Sequence, residues 1–379
     1  MRKRVTPESA ISFTKLSVAL TCSWPVSSSA SKSQLFRFNV LWCAAFTSSI
    51  ALLLPLFAAI YEYHADAVIL GKTVCLTSAV MQVIIKMVMC RLQQKQFQIL
   101  YCDMETFCKN ASTEERIVLQ RYVDKYKYFH CIYISWCFLT TVFVISGPFY
   151  LPQTFPTYAI YPFSVEQQPL KSFIFLHQSF VGFQVSSGMA IDSQIALLLR
   201  YTAARFELLG NQLRNAKSDR KLNACIEKHN QLLRYTKRIR RSIRFLILTT
   251  ITTTSVAVIF GSLNLVTKQP LPLKALYAIV VFSASVELFM YAWPADNLMR
   301  MSTKIAVDAY NKAWFEAHVG IQKKILFIIL RSQKLEAIQI SAIVPKLSLP
   351  YYAKYLSKSL SYFTALRIMV ENTSSIETP

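Results

Sequence analysis

The chain has 379 residues, is 53% apolar and has a mean hydropathy of +0.33, which sets it apart from ordinary soluble domains. Its 42 Lys and Arg against 20 Asp and Glu give a net charge of +22. That charge sorts by position relative to long apolar segments, so it marks membrane sidedness and excludes a nucleic-acid partner.

Seven segments are long enough to cross the ~30 Å hydrocarbon layer. They cover residues 38–61, 68–90, 129–150, 173–199, 245–266, 275–293 and 349–370, and they follow an N-terminal arm of 1–37. The first and fifth carry no charged residue, and the third carries only a histidine, His130. The second holds Lys72 and Lys86, the fourth Asp192, the sixth Glu287. The seventh has the weakest hydropathy, with Lys354, Lys358 and Arg367 toward its ends, where long side chains snorkel to the interface. Residues 16–30 faintly mimic a signal peptide, but Thr21, Ser23 and Pro25 break the apolar run, so the stretch reads as part of the arm.

Only Lys171, Lys268 and Lys274 fall in the loops between segments one and two, three and four, and five and six. The remaining basic residues outside the segments lie in the arm and the other loops. Lys and Arg resist translocation, so those regions are cytosolic and the C-terminus is outside. None of the nine cysteines lies in an outside loop, so no disulfide is expected.

The outer loop 151–171 is rich in proline and aromatic residues (Pro152, Phe155, Pro156, Tyr158, Tyr161, Pro162, Phe163), a composition suited to a stiff lid. Cytosolic stretches 200–215, 223–244 and 299–336 repeat apolar residues at helical spacing. Their pattern predicts a cytosolic helical bundle built from extensions of the spans.

No nucleophile elbow, metalloprotease, Walker or dinucleotide-binding sequence is present, so no enzyme chemistry or cofactor is expected. Ionisable groups inside a membrane mark function or structure. Lys86 lies about four residues from the inner end of its segment, Asp192 and Glu287 six to seven, and at 1.5 Å per residue the three share one layer. A structural clamp and a gating switch both fit them. The outer halves of the second, third, fourth and sixth segments carry sparse hydroxyls on apolar walls: Thr73, Thr77, Thr141, Val144, Phe180, Phe183, Ser187, Tyr277 and Phe282. Such walls suit a small hydrophobic ligand, although ordinary helix packing produces the same residues. Sequons at Asn110 and Asn372 are expected to stay unmodified, one being cytosolic and one hugging the membrane.

The C-terminal third resembles insect odorant receptors in Trp314, in Arg331-Ser332-Gln333-Lys334 and in Ser361-Tyr362-Phe363-Thr364-Ala365-Leu366-Arg367. Lys86, Asp192 with Phe206-Glu207-Leu208-Leu209, and Cys225 with His229 and Leu232-Leu233 extend the likeness over nearly the whole chain. The Thr-Tyr…Gln-Phe ending of gustatory receptors is absent. Tyr161-Pro162-Phe163-Ser164-Val165 and Phe175-Leu176-His177-Gln178 look like the expanded ant, bee and wasp receptors, some of which are associated with cuticular hydrocarbons.

The resemblance implies an all-α odorant-gated cation channel in the plasma membrane of a sensory neuron, assembled as a heterotetramer with an olfactory coreceptor. It implies a ligand pocket within 38–199, anchor helices at 200–244 and 294–348 around the fifth and sixth spans (245–293), a pore-lining helix at 349–370 and an outer tail at 371–379. Aligned on Tyr362-Phe363, the family's gate positions fall on Ala365, Ile368 and Met369. A receptor signalling through G proteins is the alternative; it would need an outside N-terminus and its characteristic motifs, which this sequence lacks. A transporter would need an internal repeat, and none is seen.

Overall fold

The computed structural model describes residues 5–27, 29–150, 153–216, 218–266, 270–311, 314–333, 338 and 346–376, without the side chains of 67, 68, 266, 272, 366 and 369–376. All regular structure among the described residues is helical. Lys334, in the Arg331–Lys334 motif, and the gate side chain of Met369 lie outside that description.

The chain enters through α1 (Pro7–Ser17), α2 (Lys32–Glu62), α3 (Ala67–Leu92), α4 (Gln94–Asn110) and α5 (Thr113–Ile145). It continues through α6 (Leu170–Met189), α7 (Ile191–Arg214), α8 (Asp219–Val266), α9 (Leu271–Tyr310), α10 (Val319–Gln333) and α11 (Leu349–Ile376). Reciprocal capping boxes start α1 at Thr6 and Ser9, α2 at Ser31 and Gln34, and α5 at Ser112 and Glu115. Each satisfies helix-end N–H groups that would otherwise have no partner.

By length and composition, α2, α3, α5, α8 and α9 are apolar enough to cross a membrane. The other two expected crossings fall on α6 with the start of α7, and on α11, whose lysines and arginine dilute its hydropathy. The 48-residue α8 is about 70 Å long and the 40-residue α9 about 60 Å, roughly twice the hydrocarbon thickness. Both therefore project well beyond the membrane. Pro294 sits inside α9 and Pro55 inside α2 without ending either helix, as neighbouring helices permit in membrane proteins.

The projecting ends form the largest core. α7 runs through it with three quarters of its residues buried, surrounded by Phe97, Leu100, Tyr101 and Met104 of α4, Leu232 and Ile239 of α8, Ile305 of α9 and Ile325 of α10. Gly210 of α7 allows the close approach of α9, because a Cβ there would lie 2.2 Å from Asp308 Oδ2. The arm docks onto this core: Trp24 stacks on Tyr101 with ring centroids 4.4 Å apart, and Thr14 and His130 are hydrogen-bonded at 2.8 Å.

The fourth expected segment, 173–199, is one run in the sequence, but the structure interrupts it at Ala190. The Ala190 carbonyl accepts from both Ser193 and Gln194 N–H groups, a tightened turn between α6 and α7. Next to it, a Cβ on Gly188 would stand 2.4 Å from Val83 Cγ2, so this turn packs directly on α3. The interruption places Asp192 in the first turn of α7, where the helix dipole favours a carboxylate.

Candidate functional site

The interruption at Ala190 brings Asp192 into a buried network. Lys86 of α3 is wholly buried, and its Nζ lies 2.7 Å from Asp192 Oδ1 and 2.8 Å from Glu287 Oε1. Tyr133 of α5 donates to Asp192 Oδ2 at 3.2 Å, and Tyr291 of α9 donates to Asp192 Oδ1. Gln82 of α3 donates to Glu287, with Thr250 of α8 at 3.5 Å. One cation thus faces two carboxylates, and neutral donors take up further acceptor capacity. Burial makes that completeness matter, because an uncompensated charge here would be costly. The network ties α3, α5, α7, α8 and α9 together.

Directly outward lies a cavity of about 180 Å³ walled by α2, α3, α5, α6, α8 and α9. Glu287 and Gln82 line its inner end, and Lys72, Tyr150, Pro156 and Thr157 its outer end. From Gln82 to Lys72 is ten residues of α3, so the cavity is about 15 Å deep. Its walls between these ends are chiefly apolar, with Leu52, Leu56, Val144, Val181, Ala257 and Val280 among them. An engineered cavity of about 150 Å³ takes benzene, so this one suits a molecule of one ring or a short chain.

The outer loop closes over the cavity. Thr157 donates from its N–H and its hydroxyl to Gln178 Oε1, both at 3.0 Å, and the Gln178 amide donates to Tyr161 at 3.2 Å. Ile160 N–H donates to the Pro55 carbonyl of α2 at 3.0 Å.

Of the residues expected at a pocket, Thr141, Val144 and Tyr277 line the cavity. Thr141 also pairs with Ser186 at 2.6 Å. Thr73 and Thr77 are buried, but their hydroxyls donate to their own helix, at Ile69 O and Thr73 O. Ser187 is buried away from the cavity wall, and Phe183 is half-buried outside it. Phe180 and Phe282 are 45% and 55% exposed, placing them on the outer surface of the protomer.

Gln82, Tyr133, Tyr291 and Lys72 join the site without being among the site residues expected from the sequence. Two had a signal: Gln82 stands four residues before Lys86 and Tyr291 four after Glu287, the spacing that puts side chains on one helix face.

α11 packs against the helices that wall the cavity. Tyr355 lies against Thr254 and Ser255 of α8, and Thr254 lines the cavity. Tyr352 meets Phe289 of α9 with ring centroids 5.3 Å apart, two residues beyond Glu287. Leu349 N–H donates to Asp296 of α9 at 3.4 Å. Farther along α11, Ala365 and Ile368 are exposed on the protomer, as are Lys354 and Lys358.

The family model described as 7tm Odorant receptor matches residues 67–359. Odorant receptor 13a of Drosophila melanogaster is 24% identical over 392 residues, spanning 92% of this chain and 93% of that protein. Odorant receptor 10 of Aedes albopictus is 37% identical over 90 residues, 24% of each chain. Among solved structures, the insect olfactory receptor OR5 from Machilis hrabei matches with a TM-score of 0.80 at 14% identity, over 95% of this chain and 97% of that one. The same receptor in complex with eugenol matches with a TM-score of 0.79, also at 14% identity, over 95% and 98%. At that identity the likeness establishes the shared fold.

Proposed function

This chain belongs to the seven-transmembrane odorant receptor family, and on that premise we propose that it is the ligand-binding subunit of an odorant-gated, non-selective cation channel. The observation that carries the proposal is the position of the cavity. Its floor is Glu287 and Gln82, the members of the Lys86–Asp192–Glu287 network that reach it, and its α8 and α9 walls also support α11. A ligand seated there touches the groups that hold five helices in register. It shifts a gate only by binding the open arrangement more tightly than the closed one.

The ligand is a small hydrophobic molecule. Its contacts with the walls contribute about 0.8 kcal/mol for each CH₂ buried. The volume of about 180 Å³ favours a compact volatile over a long cuticular hydrocarbon. The solved relative in complex with eugenol supports this choice.

In this reading the N-terminus and the α7–α10 core are cytosolic and the C-terminus is outside. The distribution of Lys and Arg supports that orientation, as do Arg234, Lys237, Arg238 and Arg241, gathered on one face of α8 beside Gln93 and Gln96. α11 lines the pore, with Ala365, Ile368 and Met369 at its gate, and a ring of apolar side chains closes it by dewetting. Olfactory coreceptor subunits complete a heterotetramer in the plasma membrane of sensory dendrites.

The test is whole-cell current from cells expressing the chain with and without a coreceptor, under G-protein blockade, across a panel of small volatiles. A fast, coreceptor-dependent cation current is expected. A ligand-driven second-messenger signal that the blockade abolishes, with no current, would refute the channel reading.

A further inference from the structure

The inner and outer ends of the cavity differ in how their polar groups are used. At the inner end Gln82 donates to Glu287, which also accepts from Lys86. At the outer end Lys72 lines the cavity at 6% exposure. Its Nζ donates to Gln153 Oε1 and lies 4.6 Å from the centre of the Tyr158 ring. No carboxylate among the described residues comes within ion-pair distance of it.

An ammonium has three donors, and here one is taken by an amide and the charge is met by a single aromatic face. Gln153 is poorly served as well: its Nε2 is buried with no hydrogen-bond partner among the described residues. It stands beside Gly147 of the cavity wall, where a Cβ would approach that nitrogen to 2.4 Å. A buried cation therefore lines the outer end of the cavity, with a buried amide donor just behind it at Gly147, above walls that are chiefly apolar. Thr157, whose hydroxyl belongs to the loop lining this end, is already committed to Gln178.

We infer that the cavity is built for a short amphiphile bearing a carboxylate, its oxygens received by Lys72 and Gln153 and its apolar tail directed toward the Gln82–Glu287 floor. A carboxylate supplies the missing counter-charge and two acceptors, and charge-assisted bonds are the stronger kind. An alkane leaves both donors unmet, and an amine adds a second buried cation. This inference rests on the ligand-gated reading and narrows its ligand class.

The test uses carboxylic acids of graded short chain length, each beside its methyl ester, alkane and amine of matching size, at neutral pH. Current from the coreceptor-containing channel is one readout. Thermal stabilisation of the purified chain is the other, and it reports binding without gating. The acid is expected to be more potent than the alkane by at least about tenfold. Lys72→Met should remove that preference while sparing the response to the ester, and Lys72→Arg should retain it. Acids that stabilise the purified protein through Lys72 but evoke no current would support this inference and overturn the channel reading. An acid no better than its ester or alkane in either readout, or a Lys72→Met change that weakens all four classes equally, would overturn the inference.

Discussion

Lys86 is the residue on which the most structure depends. Its removal leaves Asp192 and Glu287 buried with no cation between them, and breaking a buried pair in this way costs about 3–5 kcal/mol. Lys86→Met should therefore lower the melting temperature and surface expression sharply, as read by fluorescence-detected gel filtration. Adding Asp192→Asn and Glu287→Gln should recover part of the loss, because neutral side chains of similar shape remove the unpaired charge. An unchanged melting temperature in the single variant would show that the cluster is no clamp. The two carboxylates also differ in role. Glu287 lines the cavity and Asp192 does not, so Glu287→Gln should shift the ligand concentration–response curve while Asp192→Asn acts mainly on stability. Matching depth along three helices made these charges readable in the sequence. Tyr291 shares that legibility through its spacing from Glu287, whereas nothing in the sequence marks Tyr133 among 19 tyrosines as the one that turns inward.

At the scale of elements, the turn at Ala190 and the lengths of α8 and α9 set the architecture. The apolar run 173–199 reads as one helix because hydropathy does not register a tightened turn. Its cause is local, in the contact of Gly188 with Val83, which requires both helices to be placed. α4 and the N-terminal half of α5 are not among the helical stretches expected from the sequence, although Ser112 and Glu115 form a readable capping box. The apolar periodicity of 200–215, 223–244 and 299–336 falls on helices α7 to α10, whereas the tight α7–α9 crossing at Gly210 is not legible in it. Gly210→Leu should force that crossing apart and destabilise the protein by about 1–3 kcal/mol, lowering the melting temperature without a change of ligand preference. Wild-type stability in that variant would mean that the helices separate there at no cost.

At the scale of the whole molecule, α8 and α9 connect the cavity, the charge network at its floor and the exposed face of α11. Lys354 and Lys358 lie on the exposed surface of α11 in the protomer. If they face a hydrated conduit, replacing both with Gln should raise single-channel cation conductance by removing repulsion, and unchanged conductance would place them elsewhere. The pocket residues show where composition stops informing. Thr141, Val144 and Tyr277 reach the cavity, whereas Phe180 and Phe282, of the same apolar character, face outward. Helix rotation decides between them, and a uniformly apolar segment does not encode it.

Occupancy of this cavity by ligand is what the proposed function requires. Its most direct test compares Val144→Trp, which fills the cavity, with Phe180→Ala, which lies outside it, by agonist concentration–response in coreceptor-expressing cells of equal surface expression. Overpacking of about 1–3 kcal/mol should weaken the potency of the Val144→Trp channel by about tenfold or more and leave that of Phe180→Ala unchanged. Equal potency in wild type and Val144→Trp, or an equal loss in both variants, would mean that ligand binds elsewhere.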